Sequence, residues 1–176
     1  TYTLREAKGA EDNGITYDGM TYTVVTTIVD NGRDQLVATH KLKDAEDVKS
    51  IKFENSYKPN PDEFSVTDQI TATKVLTGRD LKDGEFSFEL IEGDNIVATG
   101  TNNAGGKIMM SPIAYTGAGT HSYTLRETKA GTTENGITYS TAEYAIVTKV
   151  ADNSDGTLDV HHVLKDVKAA EFKNSY

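Results

Sequence analysis

The sequence predicts an all-β chain folded as a two-sheet antiparallel β-sandwich, and three observations carry that expectation. The composition suits strands: 9 Tyr, 3 Pro and no Trp in 176 residues, with Thr abundant. Turn-forming pairs such as Asn13-Gly14, Asp83-Gly84 and Asn135-Gly136 punctuate runs of alternating apolar residues. No convincing long helix is visible.

Self-comparison sets the organisation. Tyr2-Thr3-Leu4-Arg5-Glu6 recurs as Tyr123-Thr124-Leu125-Arg126-Glu127, and Asn13-Gly14-Ile15-Thr16-Tyr17 as Asn135-Gly136-Ile137-Thr138-Tyr139. Leu42-Lys43-Asp44 recurs as Leu164-Lys165-Asp166, and Phe53-Glu54-Asn55-Ser56-Tyr57 as Phe172-Lys173-Asn174-Ser175-Tyr176. The stretch from about Glu63 to His121 has no earlier counterpart. Tandem repeats are therefore expected: a complete unit over 65–176, preceded at 1–57 by the C-terminal half of another. Between them, 58–64 reads as a linker, because Pro59 and Pro61 favour an extended connection. A half-unit at the start suggests a piece of a longer array.

Within the complete unit, alternation places strands at Ile70–Leu76, Glu85–Ile91, Ser122–Glu127, Tyr144–Val150, Thr157–Leu164 and Ala170–Tyr176. Turn signals at 82–84, 92–95, 102–106 and 153–156 separate them. Six or seven short strands in about 110 residues describe two packed sheets.

Parity then singles out three polar residues, since alternate side chains on a strand share a face. Lys74 lies with Ile70, Ala72 and Leu76 on the apolar side of the first strand. Asn174 lies with Ala170 and Phe172 on the last, and Glu127 with Tyr123 and Leu125 on a middle one. In the first repeat, Glu6 and Asn55 have the same placement, but their Lys-bearing strand is missing. Inward Lys, Glu and Asn are costly unless they meet.

If they meet, they have the composition for amide-bond formation. A free Lys has a pKa near 10.4, so at neutral pH only about one in a few thousand is a neutral nucleophile. Burial favours the neutral amine and, by the same logic, a protonated carboxyl. Lys74 would attack the Asn174 amide carbon while Glu127 polarises the carbonyl and relays protons to the departing ammonia. This happens once per molecule, so no enzyme in the turnover sense is expected.

These segments, together with Lys74-Val75-Leu76-Thr77-Gly78-Arg79-Asp80-Leu81 and Gly84-Glu85-Phe86-Ser87-Phe88-Glu89-Leu90, resemble the streptococcal pilin isopeptide-linkage domain. That family belongs to the immunoglobulin-like, Cna B-type sandwiches of Gram-positive pili and adhesin stalks. The resemblance covers 65–176 and, as a half-domain, 1–57. It implies a Lys74–Asn174 bond with Glu127 as the catalytic acid. It also implies a cell-surface or cell-wall setting, with neighbouring repeats of the same protein as partners.

Other chemistry is expected to be absent. A net charge of −9 disfavours nucleic acid and anionic membranes. No Cys is present, so stability comes from something other than disulfides. No cofactor or metal site is expected: 152–156 reads as a hairpin turn, and the adjacent His161 and His162 point to opposite faces. Gly117-Ala118-Gly119 precedes no helix that would make a phosphate cradle. Two function classes remain: a structural repeat of a pilus or stalk, and alternatively a host protein- or glycan-binding adhesin module. The loops are Gly, Asn, Asp and Thr rather than aromatic, which favours the first. Residues 1–57 and 122–176 are competing partners for 65–121. Native order, pairing Lys74 with Asn174 rather than with Asn55, is expected, while a Lys strand from another chain remains open for Asn55.

Overall fold

A computed structural model describes residues 1–8, 13–43 and 50–176. Asp44, part of one repeated motif, lies outside them. The chain separates into two compact units, Thr1–Lys58 and Pro59–Tyr176.

The first unit contains β1 (Tyr2–Arg5), β2 (Ile15–Thr16), β3 (Thr21–Asp30), β4 (Leu36–Leu42) and β5 (Ser56–Tyr57). Strands β1, β3 and β4 form an antiparallel sheet in that order, and β2 pairs with β5. The long hairpin is closed by 31–35, where Asp30 and Asn31 side chains accept from the N–H groups of Gly32 and Arg33.

The second unit begins with β6 (Asp62–Phe64), a 3-10 turn at Val66–Asp68 and β7 (Ala72–Thr77). Next come β8 (Ser87–Glu92), β9 (Asn95–Asn102), β10 (Ile108–Met110), β11 (Ile113–Tyr115) and β12 (Gly119–Glu127). It closes with β13 (Thr133–Glu134), β14 (Ile137–Thr138), β15 (Glu143–Asp152), β16 (Leu158–Leu164) and β17 (Ala170–Ser175). A six-stranded sheet runs β10-β9-β8-β12-β15-β16, a four-stranded one β13-β14-β17-β7, and β11 pairs with β6. The large sheet contributes Phe88, Leu90, Leu125 and Ile146 to the core, and the smaller one Ala72, Ala170 and Phe172. The Phe88 and Phe172 rings meet at 5.1 Å. The all-β, sandwich-like fold is as the alternation predicts. Strand β16 is buried at every second residue from Leu158 to Leu164, which places His162 in the core and His161 outside.

Three details differ from the sequence expectation. Residues 62–64, read as the end of a linker, form a strand paired with 113–115; the flanking prolines end at Pro61, which leaves the following N–H groups free to pair. The first and last strands of the smaller sheet, β7 and β17, are parallel, with Lys74 opposite Phe172 and Leu76 opposite Asn174. They are adjacent in space but come from opposite ends of the unit, so no hairpin forces them antiparallel. Strands β9, β10 and β11 are not marked by the alternation pattern, because they are short or, like β9 with its internal Gly100, alternate weakly.

His162 has a consequence for stability. Its Nδ1 meets Thr148 Oγ1 at 2.7 Å, and its Nε2 is buried with no hydrogen-bond partner among the described residues. Burial, aided by His161 and opposed by Asp68, holds its pKa below the usual imidazole value. The unfolded chain therefore binds the proton first as pH falls, so stability is full above about pH 6.5 and declines below it. The slope is at most about 1.4 kcal/mol per pH unit for this one group. Denaturant midpoints at pH 7.5 and 5.5 measure it. His162→Gln should flatten the difference, and an equal pH dependence in that variant would assign the effect elsewhere.

Candidate functional site

Three strands bring Lys74, Glu127 and Asn174 together inside the second unit. Each of the three is no more than 2% exposed. The Lys74 Nζ lies 3.0 Å from Glu127 Oε1, and Asn174 Nδ2 donates to that same oxygen at 2.9 Å. Glu127 thus sits between the amine and the amide. Lys74 reaches this point because Asn174 is one step along the neighbouring parallel strand: two residues at ~3.3 Å rise, on the same face, is a diagonal that a Lys side chain spans.

The other neighbours of the amine are an aromatic ring and a backbone carbonyl. Lys74 Nζ is 4.5 Å from the centre of the Phe86 ring and 3.4 Å from the Phe172 carbonyl. Burial pushes the Lys74 amine below its usual pKa, with the Glu127 contact opposing. Glu127 Oε2 is buried, with no hydrogen-bond partner among the described residues.

The amide is oriented by a backbone group. Ser140 N–H donates to Asn174 Oδ1 at 2.7 Å, which fixes the oxygen on that side and leaves Nδ2 facing Glu127. The sequence-based expectation had Glu127 polarising the Asn174 carbonyl. Here that position belongs to the Ser140 N–H, and Glu127 faces the nitrogen that would leave. No side-chain pattern announces a backbone donor, although the repeated Gly-Ile-Thr-Tyr segment marks the loop that carries it. Sequence reasoning also missed Gly106. Its carbonyl accepts from Lys74 N–H at 2.7 Å, and at φ +86° a Cβ there would lie 2.4 Å from the Lys74 carbonyl oxygen.

The first unit repeats part of the site. Asn55 Nδ2 donates to Glu6 Oε1 at 2.6 Å, and Asp18 N–H donates to Asn55 Oδ1 at 2.8 Å. Asp18 thus stands where Ser140 does. Its carboxyl accepts from the N–H groups of Glu54 and Met20, which holds it below its ordinary pKa. Among the described residues, no Lys pairs with Glu6; within the second unit, Lys74 meets Glu127 and lies on the strand beside that of Asn174. The oxygen-rich turn at 152–156 uses its carboxylates internally: Asp152 accepts from Ser154 N–H and Asp155 from Thr157 N–H.

The second unit is thus a β-sandwich domain in which a buried amine and a buried carboxamide both meet one carboxyl oxygen. The chain matches the model of the family FctA, described as the Spy0128-like isopeptide containing domain, over residues 1–58 and 70–176. It belongs to that family of isopeptide-containing pilin domains. No curated protein matches it. No helix among the described residues is long and apolar enough to cross a membrane.

Proposed function

We propose that the chain is a load-bearing repeat of a Gram-positive surface pilus or adhesin stalk, sealed by a Lys74–Asn174 isopeptide bond that Glu127 promotes. The single observation that supports it most is the shared Glu127 oxygen, at hydrogen-bond distance from both the Lys74 amine and the Asn174 amide nitrogen.

The reaction follows from that placement. Proton transfer from the Lys74 ammonium to Glu127 yields the nucleophile. Nζ attacks Cγ of Asn174, and the charge that develops on Oδ1 is met by the Ser140 N–H. Glu127 passes its proton to Nδ2 and takes a second one from Nζ as the C–Nδ2 bond breaks. Ammonia departs, and with the remaining proton becomes ammonium. One amide replaces another, with no oxidant or cofactor. The unit acts on itself once.

Mechanics then supply the function. Parallel β7 and β17 lie side by side, so tension entering along the first and leaving along the last shears their whole ladder at once. A covalent link between them takes that load in place of the hydrogen bonds. Single-molecule pulling tests this. The parent unit should never release the roughly hundred residues between Lys74 and Asn174, whereas Asn174→Ala should gain about 350 Å of extended chain. Equal extension in both would refute the load-bearing role.

A further inference from the structure

We propose that residues 62–69 form a releasable strap over the open edge of β16, and that its release turns this edge into a pairing site for a second copy of the chain. The strap and the edge stand on hydrogen bonds of the second unit, while release by tension rests on the load-bearing reading.

A strand at the end of a sheet presents a row of unpaired backbone groups, and β16 is such a strand. Its ladder with β15 is bracketed by two bonds, Asn153 N–H to the Thr157 carbonyl and Lys165 N–H to the Ala145 carbonyl. Bonded residues alternate in an antiparallel ladder, so 157, 159, 161, 163 and 165 bond to β15. Leu158, Val160, His162 and Leu164 therefore aim their N–H and C=O groups away from it.

Gln69 meets two of these groups. Its Nε2 donates to the Val160 carbonyl at 2.6 Å, and its Oε1 accepts from His162 N–H at 2.7 Å. The side-chain amide thus stands in for the backbone of a neighbouring strand. The same segment caps the other edge strand of the sheet, β10. Ser65 Oγ donates to the Met110 carbonyl at 2.8 Å, and Met110 N–H donates to Thr67 Oγ1 at 3.1 Å. The two caps differ in depth. Ser65 and Thr67 are buried, and the run leading into β10 is also tied to β7 by Lys74 N–H and the Gly106 carbonyl. Gln69 is exposed, so the cap on β16 is the one that opens.

Once Gln69 lets go, β16 is complementary to itself. Antiparallel pairing about a two-fold axis through His161 sets Val160 opposite His162 of the second copy. The Val160 carbonyl then accepts from that His162 N–H, which are the two groups the Gln69 amide holds in each chain. The Val160 N–H and the His162 carbonyl pair as well, and Leu158 gains Leu164 of the second copy. A backbone edge thereby replaces a side chain that imitates one.

The position of the strap in the chain supplies the release. Residues 59–73 precede Lys74, so they lie outside the ring that a Lys74–Asn174 bond closes. Tension arriving through Pro59 draws on β6, on the Ser65 and Thr67 caps and on Gln69 before it reaches that bond. The core stays closed while the edge of β16 is uncovered.

Cysteine pairing tests the edge, because the chain has no Cys of its own. In the full chain, Gln69→Ala should speed disulfide-linked dimer formation by the His161→Cys variant about tenfold, a factor that loss of two ordinary hydrogen bonds supplies. Asp159→Cys should not respond, since in this register the two 159 positions stand about 14 Å apart, beyond disulfide reach. Equal rates with and without Gln69→Ala, or equal rates at 159 and 161, would overturn the pairing site. Pulling on the parent chain tests the release. The second unit should give one short step, up to about 50 Å for residues 59–73, and at lower force in Gln69→Ala. A parent without that step would overturn release by tension. Intact mass reports the Lys74–Asn174 bond in every sample, so failure of the load-bearing reading is told apart from failure of the strap.

Discussion

Glu127→Gln should give a chain at its full sequence mass for that variant, whereas the parent should weigh one ammonia less than its sequence. The substitution keeps the shape and a hydrogen-bonding head between Lys74 and Asn174, but an amide cannot accept the proton that Lys74 must shed. Intact mass spectrometry reads the outcome directly. Stability should follow. Closing a loop of roughly a hundred residues restricts the unfolded chain by ~4.7 kcal/mol in the chain-entropy treatment. At about 3–5 °C per kcal/mol for a domain of this size, the variant should melt about 15–25 °C lower. Asn174→Ala should show the same pair of effects by removing the electrophile instead. A parent at full sequence mass would refute the crosslink, and the open loops of a binding module would become the next place to look.

Phe172→Ala should be the most damaging substitution away from the reacting groups. The ring is fully buried, meeting Phe88 at 5.1 Å across the sandwich and Tyr144 at 5.1 Å edge-on. Emptying such a site typically costs about 3–5 kcal/mol. Phe172 also precedes Asn174 by two residues on the same face, opposite Lys74. Loosening it should therefore slow the appearance of the mass deficit as well as lower the denaturant midpoint. Measuring stability in the Asn174→Ala background isolates the packing loss, because no crosslink is present there. A loss below about 1 kcal/mol would mean that the two sheets do not depend on this contact.

Parity made much of the site legible. Ile70, Ala72 and Lys74 share a buried face, as do Ala170, Phe172 and Asn174, and a charged or amide residue among apolar neighbours stands out in a strand. Internal repetition marked which strands answer to which. Neither signal carries direction: β7 and β17 are far apart in sequence, so nothing local says that they run parallel. Strand β9 escaped because its alternation is weak, and its Asn102, which reads as a turn residue, is buried and holds the Phe86 N–H. The Ser140 N–H escaped because every residue but proline has one, and only the folded loop brings this one to Asn174.

The position of Asn174 on the closing strand of its unit sets an order in time. Its partner amine sits on β7, near the beginning, so the amide cannot form until the ribosome has finished the unit and the last strand has docked. Under the proposed chemistry, the polypeptide stays an open thread until then and carries a closed ring once ammonia has left. On that reading the crosslink would also work as a ratchet on folding: docking comes first, closure second, and unfolding does not reopen the ring.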